Sequence, residues 1–211
     1  MAVKKSAPSK RAYSLGKRLE GSDQKRANIL AAARAQLVSN GFPALTLDAL
    51  ARECGVTRQT IHNFFGTKTG VLEALFDQIA FDSGMEQMRH VMQLTEAEAM
   101  LEGFVTVFCT FWRRNRMLIR RVHGIAAIDP EFGAAIEARN RRRHSAATRV
   151  IERIDQRRGR KAVASKEEQA ATLSALTSFE FFDALAESCG SVEAAIRLMP
   201  DIVRKSLVLQ R

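Results

Sequence analysis

Two short helical segments between residues 46 and 66 constrain the fold of this 211-residue chain more than any other feature. Thr46 can cap a helix over about residues 47–53, and Cys54-Gly55-Val56 makes a tight turn. Thr57 can cap a second helix running to Phe65, with Gly66 as its terminator. A threonine hydroxyl satisfies an amide left open at a helix start, and glycine adopts the left-handed conformation that ends one. Two helices joined by so short a glycine-containing turn form the helix-turn-helix unit.

The rest of the chain also has helical spacing. Ser22 and Asp23 read as the start of a first helix, with Ile29, Leu30, Ala33 and Leu37 on one apolar face. Asn40-Gly41 and Pro43 stop it. A longer helix is predicted from about Thr67 to Asp82. Thr95 with Glu98 has capping-box spacing and opens a helix carrying Leu101, Phe104, Val105, Phe108 and Trp112, followed by a segment near 116–127. Asp129-Pro130-Glu131 opens another, running to about Arg158. Ser165 with Glu168 starts a helix to about Ser188, and a last one, kinked at Pro200, follows Gly190-Ser191. No strand and no internal repeat is visible. Aromatics are only 7% of the chain and prolines only 4, which favours helix, so the fold class is all-α.

Charge narrows the function. Lys and Arg number 33 against 23 Asp and Glu, for a net charge of +10, and such an excess suggests a polyanionic partner. Residues 1–21 hold six basic side chains and one acid without an apolar period, and read as a flexible basic arm. Residues 113–161 hold 15 basic and 5 acidic side chains. No run of 18 or more apolar residues is present, so a membrane-spanning helix is excluded; the N-terminus lacks the apolar stretch of a secretory signal. Cys54, Cys109 and Cys189 lie far apart and odd in number, which suggests no disulfide framework and a reducing, cytoplasmic setting. No Gly-rich phosphate loop, Cys-x-x-Cys, His-Glu-x-x-His or nucleophile elbow occurs. An enzyme, a cofactor and a metal site are therefore not expected.

In the segment Thr57–Phe65, Ile61, Phe64 and Phe65 recur at helical spacing and face inward. Arg58, Gln59, His62 and Asn63 fall on the other side. The second helix of a helix-turn-helix lies in the major groove, where Arg pairs with guanine and Gln or Asn with adenine. Thr46 and Thr57, at helix N-termini, can hold phosphates, as can Lys68 just past the recognition helix.

Residues 22–76, ILAAARAQLVSNGFPALTLDALARECGVTRQTIHNFFGTKTGVLEALF above all, resemble the N-terminal DNA-binding domain of the TetR/AcrR family of bacterial regulators. Agreement is spread over many spaced positions, among them Ile29-Leu30, Gly41-Phe42, Thr46, Gly55-Val56-Thr57, Thr60, Phe65, Lys68 and Leu72. The resemblance implies a three-helix helix-turn-helix domain over 22–68, after the arm at 1–21. It implies a larger helical domain over 69–211 that dimerises and binds a small effector. By it, Thr46, Arg58, Gln59, Thr60, His62, Asn63 and Lys68 are the expected contacts to a double-stranded DNA operator. The family commonly has tyrosine where this chain has His62, and histidine where it has Phe64, so one phosphate anchor is replaced by an apolar ring. The expected protein is a homodimeric repressor of a palindromic operator, released by a small molecule.

The C-terminal half carries composition but no motif. Phe104, Phe108, Trp112 and His123, with Phe111 and Met117, read either as a ligand pocket between helices or as an ordinary core. Cys109 reads as a buried small hydrophobe. The arginines of 113–161 read as a solvated face paired with acids such as Glu137 and Glu152, or as donors to an anionic effector through Arg120, Arg121 or Arg139. Leu173, Leu176, Phe179, Phe182, Leu185, Ile196, Met199, Ile202, Val203 and Leu207 form a dense apolar set on the last helices that suits a dimer interface. Two other readings stay open: a regulator without a small ligand, and an architectural protein that binds DNA without sequence preference.

Overall fold

The computed structural model describes residues 10–157 and 164–207, with side chains for 21–156 and 164–207. The described residues form ten helices and no strand. Their order is α1 Lys10–Asn40, α2 Leu47–Cys54, α3 Arg58–Phe65, α4 Lys68–Asp82, α5 Gln87–Val91, α6 Ala97–Ala126, α7 Pro130–Arg157, α8 Lys166–Leu176, α9 Phe179–Ser188 and α10 Val192–Ser206. No described helix is long and apolar enough to cross a membrane. The chain divides into two compact units, Met1–Leu75 and Phe76–Arg211.

In the first unit Ile29, Leu30, Ala33 and Leu37 of α1 are buried, with Phe42, Leu45, Leu50, Ile61, Val71, Leu72 and Leu75. The expected start of α1 is corrected: the helix begins at Lys10 rather than after Ser22. Residues 10–21 are thus helical backbone and not an unstructured arm; the first nine residues of that expected arm lie outside the described ones. The reason is local. No proline stands between Pro8 and Pro43, and Arg11, Ala12, Leu15, Lys17, Arg18, Leu19 and Glu20 all favour helix, so a helix nucleated downstream propagates through them.

The second unit is built on α6, a 30-residue helix that takes in the expected separate segment at 116–127. Thr95 does not cap it: Glu96 is the N-cap, with no side-chain cap bond. Asp129 does open α7, its Oδ1 accepting from the Phe132 amide at 2.9 Å, and Ser165 with Glu168 forms a complete capping box on α8. The single helix expected over 166–188 is broken at Thr177-Ser178. Ser178 caps α9, accepting from the Phe181 amide at 3.2 Å. The break frees two carbonyls for α6 and α7 to bond: Trp112 Nε1 donates to Thr177 O at 3.0 Å, and Arg143 donates to Ser174 O.

One core gathers α6, α7, α8, α9 and α10, with Phe104, Val150, Leu173, Phe182 and Val203 wholly buried. It takes up much of the apolar set expected to need a second chain. Leu173, Phe179, Phe182, Met199, Val203 and Leu207 are already buried within their own unit, while Leu176, Leu185, Ile196 and Ile202 stay half-buried and Leu198 is 44% exposed.

Candidate nucleic-acid interface and ligand cavity

The helix-turn-helix forms where its punctuation lies. Thr46 Oγ1 accepts from the Ala49 amide at 3.0 Å at the head of α2, and Thr57 Oγ1 accepts from the Thr60 amide at 3.1 Å at the head of α3. Between them Gly55 takes the left-handed conformation, φ 62°, which a side-chain-bearing residue adopts only under strain. Its amide closes α2 on the Ala51 and Arg52 carbonyls. Ile61 is wholly buried, and Phe64 and Phe65 are half-buried with ring centroids 5.9 Å apart. This anchoring turns the opposite face of α3 outward.

That face collects the side chains that can read bases. Arg58, Gln59, His62 and Asn63 are all exposed. Gln59 Nε2 donates to Asn63 Oδ1 at 2.8 Å, one helical turn on, so the two amides orient each other. Arg58 meets Asp48 at 3.3 Å, with both side chains more than 60% exposed. Such a surface pair is worth about 0–1 kcal/mol, so the guanidinium can leave it for a base edge at little cost. Thr60 Oγ1 lies 2.9 Å from Thr57 Oγ1, which places two hydroxyls and the first amides of α3 at one point, as phosphate binding requires.

Lys68 is placed differently from the expectation. Its ammonium donates to the Phe42 carbonyl at 2.8 Å and sits 3.4 Å from the centroid of the Phe42 ring. It therefore joins the start of α4 to the Gly41-Phe42 corner. The structure brings Thr57, Arg58, Gln59, Thr60, His62 and Asn63 onto α3 and its cap, puts Thr46 at the head of α2, and turns Lys68 onto its own domain.

The second unit contains a cavity of about 260 Å³. From α6 it is lined by Phe108, Phe111, Trp112, Ile119, Val122 and His123, and from α7 by Ile136, Arg139, Asn140, Arg142, Arg143 and Ala146. Phe76, Asp77, Ala80, Met85 and Met88 close it. Three of the four expected effector residues, Phe108, Trp112 and His123, are on this lining. Phe104 is not: it is wholly buried behind Phe108, edge to face at 5.0 Å, and belongs to the core. Met117 is 66% exposed and lies elsewhere.

Two neighbours hold the aromatic wall. Trp112 stacks against Phe108 at 6.0 Å and meets Phe179 at 5.5 Å, while its indole N–H is fixed on Thr177. His123 Nδ1 bonds Glu180 at 2.8 Å, and this bond draws the Glu180 carboxyl down to about 2. Cys109 is buried, and burial pushes its thiol up to about 12, which leaves it chemically quiet.

The arginines of 113–161 divide into three groups. Arg116 and Arg120 are ion-paired with Asp183 and Glu187 of α9, so Arg120 is not a cavity residue. Arg121 is exposed and off the lining; Arg141 keeps only a 3.8 Å pair with Glu137. Arg139, Arg142 and Arg143 line the cavity. Asn140, Arg142 and Arg143 were missed as cavity residues because they sit in an arginine run that reads as a solvated face. A usable signal was present: Ile136, Arg139, Asn140 and Arg143 follow i, i+3, i+4, i+7, one stripe of α7. Among the described residues no group of three or more His, Cys, Asp or Glu could hold a metal ion.

A three-residue turn between two capped short helices, with a polar outer face on the second, defines the first unit as a helix-turn-helix DNA-binding domain. Its residues 29–75 match the model of the bacterial regulatory proteins of the tetR family. The chain is 31% identical over 91 residues to the HTH-type transcriptional regulator EthR of Mycolicibacterium smegmatis, a match covering 42% of each protein. It spans about half the length of the curated relatives it matches. Its fold is shared with a TetR transcription regulator from Haloarcula marismortui, at 18% identity and TM-score 0.63, over 87% of this chain and 96% of that one. The SmeT–triclosan complex has the same fold, at 19% identity and TM-score 0.63, over 87% and 91%.

Proposed function

We propose that the protein is a cytoplasmic transcriptional regulator that binds a palindromic operator as a homodimer and represses until a small molecule releases it. The observation that carries this reading is the exposed face of α3, where Arg58, Gln59, His62 and Asn63 stand in the order a major-groove helix uses. Thr46, Thr57 and Thr60 supply phosphate contacts beside it, and Lys68 supports the domain from within. The cavity lined by Phe108, Trp112 and His123 is the effector site, in keeping with the triclosan bound by SmeT. A dimer joined through α8, α9 and α10, at the half-open Leu176, Leu185, Leu198 and Ile202, would present two recognition helices. A spacing of roughly 34–36 Å between them suits successive major grooves.

The test is titration of the purified protein against DNA from its own upstream region and against scrambled DNA of equal length, at two salt concentrations. A preference for the native sequence that survives added salt supports the reading. Replacing Arg58 by Ala should then relax base preference at one operator position, at a cost of about 1–3 kcal/mol. Equal affinities that collapse together with salt would overturn it in favour of binding to phosphates alone.

A further inference from the structure

The cavity of the second unit has walls of two kinds. One is apolar and aromatic, led by Trp112 and Phe108; the other is the basic stripe of α7. Of the charged side chains on the lining, three are arginines and one, Asp77, is an acid, already held by Arg139 at 3.0 Å. A basic surplus inside a largely apolar chamber has to be explained, because a charge withdrawn from water is costly unless something compensates it.

Arg143 makes the point most sharply. Burial pushes its pKa down, and among the described residues no carboxylate pairs with it. Nη1 donates to the Ser174 carbonyl and, at 3.4 Å, to the Ser174 hydroxyl, and Nη2 donates among the described residues only to Asn140 Oδ1, a long bond of 3.4 Å. Among the described residues Nε makes no hydrogen bond. Glu180 and Glu137 influence it from farther away. Arg142, one position back, is exposed, lines the same cavity and has no acidic partner among the described residues. Arg116 and Arg120 show the contrast: the fold has given both of them carboxylates.

We propose that this cavity takes an organic carboxylate, whose aromatic or aliphatic body lies against Trp112 and Phe108 and whose carboxylate is held by Arg143 and Arg142. This names the chemical class of the effector and rests on the effector reading above only for its consequence on DNA. The guanidinium fork matches a carboxylate, and the bond is strongest where water is excluded. A neutral ligand of the same shape would leave the half-buried Arg143 without a carboxylate partner.

Trp112 is the only tryptophan of the chain and lines the cavity, so its fluorescence reports occupancy. The probes are phenylacetate, 1-naphthylacetate and decanoate, each beside its neutral amide. At least one acid should change the emission saturably with a Kd below about 1 mM and bind about tenfold or more tightly than its amide. Arg143→Gln should shrink that ratio and Arg143→Lys should retain part of it. Arg142→Gln, at an exposed position, shrinks it without risk to folding. Amides that bind as well as acids, no saturable change with any acid, or a ratio untouched in both Gln variants would each overturn the proposal. Operator binding measured on the same samples separates the two readings: an acid that binds at the cavity without altering operator affinity leaves the site standing and removes only its role in release.

Discussion

Gly70 lies in the first turn of α4, against the end of the recognition helix. A Cβ placed on it would stand 1.9 Å from the Phe65 carbonyl oxygen and 3.0 Å from the Phe65 carbonyl carbon. Ordinary contact begins at 3.4 Å, so the carbonyl would have to retreat by about 1.5 Å. It is backbone, fixed by a 2.8 Å bond from the Thr67 amide and by the closure of α3, where Gly66 N bonds His62 O at 2.7 Å. Gly70→Ala therefore has to displace the C-terminal turn of α3. Overpacking of this kind costs about 1–3 kcal/mol, and loss of the Phe65–Thr67 bond about 1 kcal/mol more. The better helix propensity of alanine returns about 1 kcal/mol, for a net loss of about 1–3 kcal/mol. In a unit of this size that lowers Tm by roughly 4–8 °C per kcal/mol. Thermal unfolding followed by circular dichroism reads the loss, and operator titration should show affinity falling as well, since the displaced turn belongs to α3. Gly124→Ala is the control: Gly124 is also helical but has nothing within 4 Å of its would-be Cβ, so the same substitution should stabilise. Equal stabilities for the two variants, or a Gly70→Ala protein with unchanged Tm and DNA affinity, would refute this account.

Two further outcomes are expected in the second unit. Trp112→Phe keeps an aromatic ring but removes the indole donor to the buried Thr177 carbonyl, so it should lower the urea midpoint by the equivalent of about 1–3 kcal/mol with m unchanged; no shift would mean that the α8–α9 break does not depend on this bond. Glu180, held down to about 2 by its hydrogen bond from His123, contributes stability that is present above its ordinary value of 4.5 and is lost as pH falls from there toward 2. Its carboxylate is 61% exposed, so screening by water limits the contribution to about 1 kcal/mol or less. Glu180→Gln should lower stability near neutrality by about 1 kcal/mol or less and flatten its fall in that window, which urea unfolding at several pH values will show.

Much of the candidate DNA interface was legible without coordinates because it is built from local rules. Thr46, Gly55, Thr57 and Gly66 act on backbone groups within four residues of themselves, and the Ile61-Phe64-Phe65 spacing decides which side of α3 faces out. The capping box of Ser165 and the Asp129-Pro130 start of α7 are of the same kind. The bond of Lys68 to the Phe42 carbonyl was not legible, because it depends on the fold of the Gly41-Phe42 corner; an ammonium with three N–H donors can make it and a phosphate contact together.

By itself, the sequence determined an all-α chain with a helix-turn-helix at residues 46–66, since helix starts, stops and faces depend on neighbours in the chain. Tertiary structure decided the rest. It broke the helix at Thr177 because Trp112 and Arg143, 65 and 31 positions away from the carbonyls they bond, could satisfy the groups that the break exposed. It sent Phe104 to the core and Trp112 to a cavity wall, although both lie on the same apolar side of α6. It also sorted one arginine-rich stretch into ion-paired, solvated and cavity-lining members. Periodicity records which residues share a face, but only packing records what stands opposite that face: an acid for Arg120, water for Arg121, and for Arg143 a cavity with an aromatic wall.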